Sequence, residues 1–139
     1  MQWLFWALLS ALFAGATALL AKVGVTEINS NLATAIRTTV ILIFTWSIAL
    51  GTARVEFWTI ERKTWIFLVL SGVATGLSWL CYFRALQLGE VSKVAPIDKL
   101  SVVIAMALAI TFLGEKLNPR EGIGAGLIVL GAIIIAWRW

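Results

Sequence analysis

The segment "KVAPIDKLSVVIAMALAITFLGEK", Lys93–Lys116, decides how this chain folds. Its charge-free part, Leu100 to Gly114, is too short for the roughly 20 helical residues that a bilayer core requires. A helix reaching back to about Ser92 is long enough, but it carries Pro96, Asp98 and Lys99 into the membrane. An acid and a base at the mouth of an apolar helix cost free energy, so they need a reason.

The rest of the chain gives that segment its setting. Of 139 residues, 61% are hydrophobic and 13% are charged, more apolar side chain than a soluble domain of this size can hide. Trp3–Ala21 is a charge-free run of 19 residues and Thr64–Phe83 one of 20. Thr38–Ala53 and Gly122–Trp137 are 16 residues each, short but extendable through flanking polar residues. The reading is an all-α membrane protein, a bundle of five transmembrane helices near 3–23, 31–51, 64–86, 92–113 and 121–138. Strands are excluded because no alternating ten-residue pattern occurs, and lipid offers no partner to an open sheet edge.

The first helix lacks a basic leader and is longer than a signal core, although Ala16-Thr17-Ala18 resembles a cleavage site. Trp3, Trp6, Trp58, Trp65, Trp137 and Trp139 fall near helix ends, where indole favours the interface. Gly24, Gly51, Gly89 and Gly114 are expected to stop helices. Ser30 or Asn31 and Ser92 are expected to cap the next ones, and Asn118-Pro119 makes a turn. With no histidine and one cysteine, neither a metal site, nor a cofactor, nor an enzyme is expected. Cys81 reads as an apolar filler. The net charge of +4 is dispersed along helix ends and is no nucleic-acid footprint.

Polar residues inside the spans point further. Ser71, Thr75, Ser78 and Tyr82 follow at spacings of four, three and four, which sets them on one helical face. Gly72 and Gly76 beside them form a small-xxx-small pair suited to helix packing, as do Gly122 and Gly126 in the last helix. Trp6, Ser10 and Thr17 share a face of the first helix. Asp98, Ser101, Ala105 and Ala109 form a narrow stripe on the fourth, with Lys99 about 100° around and expected to snorkel toward the headgroups. Such stripes either line a common polar cavity or bond back to their own helix carbonyls. Asp98 is either a substrate or coupling site, or the structural partner of Lys93, Lys99, Arg37, Arg84 or Lys22. Pro96 lacks a backbone donor and is expected to loosen the chain between Ser92 and Ile97, as at transporter binding sites.

The run "YFRALQLGEVSKVAPIDKLSVVIAMALAITFLGEKLNPREGIGAGLIVLGAIIIA", Tyr82–Ala136, resembles the second part of an EamA domain of the drug/metabolite transporter superfamily. The matching features are Tyr82 and Ala85-Leu86 closing a helix, Pro96 opening the next, Leu113-Gly114-Glu115 ending it, and a glycine-rich last helix. Lys22 and Arg37 extend the likeness to the front half, and "PIDKLS" is similar to the single-domain, five-helix bacterial and archaeal branch. The resemblance implies one EamA-like domain over 1–139 and a multi-pass carrier of small metabolites in the cell (inner) membrane. Most such relatives hold two domains and ten helices. Small multidrug resistance proteins of the superfamily place a glutamate in helix one, but Trp3–Ala21 contains no acid, so their cation exchange does not carry over.

Two function classes follow: a transporter of a small-molecule substrate acting as a homodimer in lipid, or a non-transporting membrane subunit whose glycine faces bind a larger partner. Five spans would leave the termini on opposite sides, so two copies inserted oppositely would reproduce an inverted repeat. Dual insertion requires that Lys and Arg favour neither side. Arg54, Arg62, Lys63, Lys116 and Arg120 lie toward the N-terminal side. Lys22, Arg37, Arg84, Lys93 and Arg138 lie toward the other, with Lys99 a sixth if its ammonium leaves the membrane. That near-tie predicts a reporter fused after Trp139 to be active on both sides of the membrane. Two lysines added within Asn118–Glu121 collapse it to one side. A wild-type reporter active on one side only rules out the antiparallel pair.

Overall fold

The computed structural model describes residues 2–52 and 59–137. Trp58, Trp139, Arg54 and Arg138 therefore lie outside the described residues, as does the far end of the last expected span. Six helices are seen: α1 (Gln2–Gly24), α2 (Ser30–Thr52), α3 (Arg62–Leu88), α4 (Val91–Asp98), α5 (Leu100–Leu113) and α6 (Pro119–Ala136). With α4 and α5 taken as one interrupted span, Val91–Leu113, five segments are long and apolar enough to cross a membrane. No strand occurs among the described residues. The chain is a multi-pass, all-α membrane protein. Its spans begin and end within a few residues of the sequence expectation.

The chain divides into two compact units, Met1–Leu88 and Gly89–Trp139. In the first, α3 packs against both α1 and α2. Its buried residues sit at one end: Ala18, Ala21 and Val25 where α1 finishes, Ser30, Ala33 and Thr34 where α2 starts, and Phe83 and Leu86 where α3 finishes. Small side chains dominate on α1 and α2, so backbones can approach closely there. Side chains farther along all three helices face outward, toward lipid, water or a partner.

Hydrogen bonds tie the same end together. The Lys22 ammonium donates to the Leu86 carbonyl at 2.6 Å, a cation placed on an orphan carbonyl of a helix C-terminus. The Gln87 amide donates to the carbonyls of Ile28, at 2.9 Å, and Val25, at 3.4 Å. Arg84 in turn donates to Gln87 Oε1 at 2.6 Å. The connection between α1 and α2 is thus fastened to the end of α3 by side chains that supply what lipid cannot.

In α2 the hydroxyls follow the same rule locally. Thr34, Thr38, Thr39, Thr45, Ser47 and Thr52 each donate to the carbonyl four residues earlier, at 2.6–3.1 Å. A hydroxyl satisfied this way needs nothing from a neighbouring helix.

Helix ends depart from expectation in three places. Asn29, rather than Ser30 or Asn31, caps α2, its side chain accepting the Asn31 N–H at 2.8 Å. Glu90 precedes α4 without a side-chain cap bond, and Ser92 lies inside the helix. Gly51 lies within α2, whereas Gly114 ends α5 in the left-handed conformation, φ 67°, that glycine adopts most readily. Asn118 opens α6 with a full capping box. It accepts the Arg120 N–H at 3.2 Å while Glu121 accepts the Asn118 N–H at 2.8 Å, and Pro119 fills the first helical position.

Leu86 is fully buried at the fastened end, whereas Leu88, one turn edge away, is 73% exposed. Leu86→Ala is expected to lower stability by about 2 kcal/mol or more, because it leaves a void among packed side chains. Leu88→Ala serves as the matched control and should change stability by less than about 0.5 kcal/mol. Denaturant-induced unfolding of the purified protein in micelles reads both. Equal losses would place the core elsewhere.

Candidate functional site

The interrupted span lies in the second unit, where α4 and α5 both pack on α6. Pro96 cannot donate to the carbonyl four residues back and crowds it sterically. The loosening expected between Ser92 and Ile97 falls instead at Lys99. Val91–Asp98 stays helical, and Lys99 adopts φ −69°, ψ −8° as a single turn residue between the two helices. Its N–H bonds Pro96 O at 3.1 Å, and Val102 N–H bonds Lys99 O at 3.0 Å. These are three-residue steps that tighten the chain where four-residue bonds fail.

Asp98 and Lys99 meet at this break. The Lys99 ammonium lies 3.3 Å from Asp98 Oδ2. The contact pairs it with its neighbour's carboxylate while its side chain stays 56% exposed. Lys93 pairs with Glu90 at 3.0 Å, one helical turn back. Ala95, Pro96 and Lys99 line an open groove of about 440 Å³ together with Leu127, Ile128, Gly131, Ala132 and Ile135 of α6. The groove is apolar except at Lys99. Ser101 is exposed on α5, one turn beyond Asp98.

In the first unit, Ser71, Thr75, Ser78 and Tyr82 lie along α3, the first three exposed and Tyr82 half-buried. Thr75 donates to Ser71 O at 2.9 Å, so its proton is already committed to its own helix. On α1, Trp6 and Ser10 are exposed and Thr17 is half-buried. The Trp6 ring meets Phe5 edge-on, with centroids 5.6 Å apart. At Gly72, Gly76, Gly122 and Gly126 an added Cβ would find nothing within 4 Å. Within the single chain these glycines bring no neighbour close. Cys81 is exposed on α3.

Sequence reasoning did not find the surroundings of Arg37. Its guanidinium carbon lies 4.5 Å from the centroid of Trp79 and 5.4 Å from that of Phe83. The two rings stand four residues apart on one face of α3, a spacing legible in the sequence. What the spacing lacks is the identity of the helix opposite. Lys22 and Arg84 spend their charge at the fastened end described above. Among the described residues no group of histidine, cysteine and carboxylates could hold a metal.

The EamA-like transporter family matches residues 1–137. A protein of Sinorhizobium sp., named an uncharacterized transporter in the cobO 3′ region, is 53% identical over 136 residues, covering 97% of this chain and 96% of its own length. An uncharacterized protein of Methanocaldococcus jannaschii is 32% identical over 76 residues, 55% of this chain and 56% of its own. No solved structure matches.

The α3 face admits a direct check, since Val69 and Leu80, on roughly the opposite side of the helix, are also exposed on the single chain. Cysteines at positions 71, 75, 78 and 82 are expected to react with a membrane-impermeant thiol reagent in lipid vesicles, and those at 69 and 80 to stay protected. Uniform protection would assign the hydroxyls to packing.

Proposed function

Because this chain belongs to the EamA-like transporter family, we propose that it is a secondary transporter, not an enzyme. It moves a small amino-acid-like or amphipathic metabolite across the cell's inner membrane by alternating access, as an antiparallel homodimer. The observation that carries this reading is the break at Lys99 inside a membrane span, with a carboxylate and an ammonium beside it. Irregular backbone at membrane depth is stable only where protein or a water-filled cavity satisfies it, and discontinuous helices are where transporters hold substrates and ions.

In this scheme Asp98 couples transport to an ion or proton, with Ser101 beside it. The α3 face Ser71, Thr75, Ser78 and Tyr82 and the α1 face Trp6, Ser10 and Thr17 line the path. Support for a dimer comes from what one chain leaves uncovered. The small-residue faces at Gly72 and Gly76 and at Gly122 and Gly126 have open space before them. No residue of Val91–Leu113 is buried. A second copy inserted in the opposite sense would supply the missing wall and complete an inverted repeat.

Asp98→Asn tests the coupling role. The variant should insert and assemble normally and keep exchange down a gradient, while gradient-driven accumulation in vesicles falls to background. Lys99→Gln should slow accumulation without abolishing it, because the carboxylate remains. Misassembly of Asp98→Asn that the added change Lys99→Gln repairs would make the aspartate a structural counter-ion and end its coupling role.

A further inference from the structure

Every cation of the first unit that faces its packed end has a hydrogen-bonded partner except one. Lys22 donates to the Leu86 carbonyl and Arg84 to the Gln87 amide oxygen. Arg37 donates to nothing and pairs with no carboxylate among the described residues. It stands seven residues past the start of α2, about 10 Å along the helix, and is half-buried. What it has instead is a cradle. The Trp79 ring centroid at 4.5 Å and the Phe83 centroid at 5.4 Å flank its guanidinium, and the half-buried Tyr82 is within electrostatic reach.

The cradle separates the two needs of an arginine. Aromatic faces attract the positive charge and hold the planar group in one orientation. They do nothing for its five N–H donors, which lie in the guanidinium plane and point outward from the edge. Unpaired donors in an apolar region are costly. A guanidinium held by rings, with no acceptor for its N–H fork among the described residues, matches a planar oxyanion that accepts two bonds at once.

We infer that Arg37, held by Trp79 and Phe83, is a specificity-determining residue that reads a carboxylate on the cargo. This rests on the transporter reading and narrows it to anionic or zwitterionic acids. The same edge could instead take the phosphate of a lipid headgroup, and the experiment distinguishes the two sources.

Trp79 is a built-in reporter, and its signal is the fluorescence difference between wild type and Trp79→Phe. The protein in phosphatidylcholine nanodiscs is titrated with phenylacetate and succinate, each beside its neutral amide. The acids should bind at least tenfold more tightly than phenylacetamide and succinamide. Arg37→Gln should erase that preference, and Arg37→Lys, which keeps charge but not the fork, should retain only part of it. Equal binding of acid and amide by the wild type, or a preference that survives Arg37→Gln, overturns the assignment without any variant having to fold perfectly. Loss of the acid response in phosphatidylglycerol discs, at matched ionic strength, gives the site to lipid headgroups and also overturns it. Failure of the transporter reading is separately visible. Acid-selective binding with no uptake of the same acid into vesicles sinks transport and keeps the carboxylate site, whereas uptake without acid selectivity does the reverse.

Discussion

A proline within a membrane-spanning helix takes away one backbone donor and strands a carbonyl of the preceding turn, and lipid has no water to replace the lost bond. Pro96 imposes that condition on the second unit. Three residues on, Lys99 N–H bonds Pro96 O and Val102 N–H bonds Lys99 O, and the span becomes two helices with a single turn residue between them. Asp98 and Lys99 lie at that turn and face one another. The backbone defect and the charge pair are one feature: a carboxylate is tolerable in such a place only with a cation and unspent backbone groups at hand.

The first unit solves the same problem of polar groups in lipid by three different means. The α2 hydroxyls turn inward onto their own helix. Lys22 and Gln87 reach across to carbonyls that neighbouring elements cannot satisfy. Arg37 is covered by rings. The first two solutions are complete in themselves, since each donor finds an acceptor within the chain. The third sets rings against a charge and gives its N–H donors no acceptor among the described residues, which is the property a binding group needs and a structural one does not.

Spans were readable from sequence because their cause is local. A run of apolar residues of sufficient length, bounded by Gly24, Gly89 or Gly114, specifies its own helix whatever surrounds it. Pro96 announced an irregularity, but the chain stays helical through Asp98 and the break falls at Lys99, three residues on. The cap of α2 moved by one residue because Asn29 offers a side-chain oxygen just outside the first turn. What could not be read was pairing between helices. Trp79 and Phe83 share a visible face, yet nothing in their spacing says that Arg37 lies opposite. The Lys99 contact with Asp98 was one of several pairings its sequence position left open.

The crowding of the first unit's buried residues at one end has a mechanical meaning. With Val25, Leu86 and Phe83 packed there and the Lys22 and Gln87 bonds drawn across, the three helices are clamped at one end and unclamped at the other. Trp3 lies nineteen residues from Lys22 along a continuous helix, an arm of about 28 Å. A tilt of about 5° at the clamp would sweep the tip of that arm through about 2.5 Å by the same rise per residue. The inward-turned hydroxyls of α2 set no hydrogen-bonded ratchet against such a sweep. A lever built this way has its fulcrum where Val25, Phe83 and Leu86 pack and the Lys22 and Gln87 bonds cross, and apolar arms beyond it.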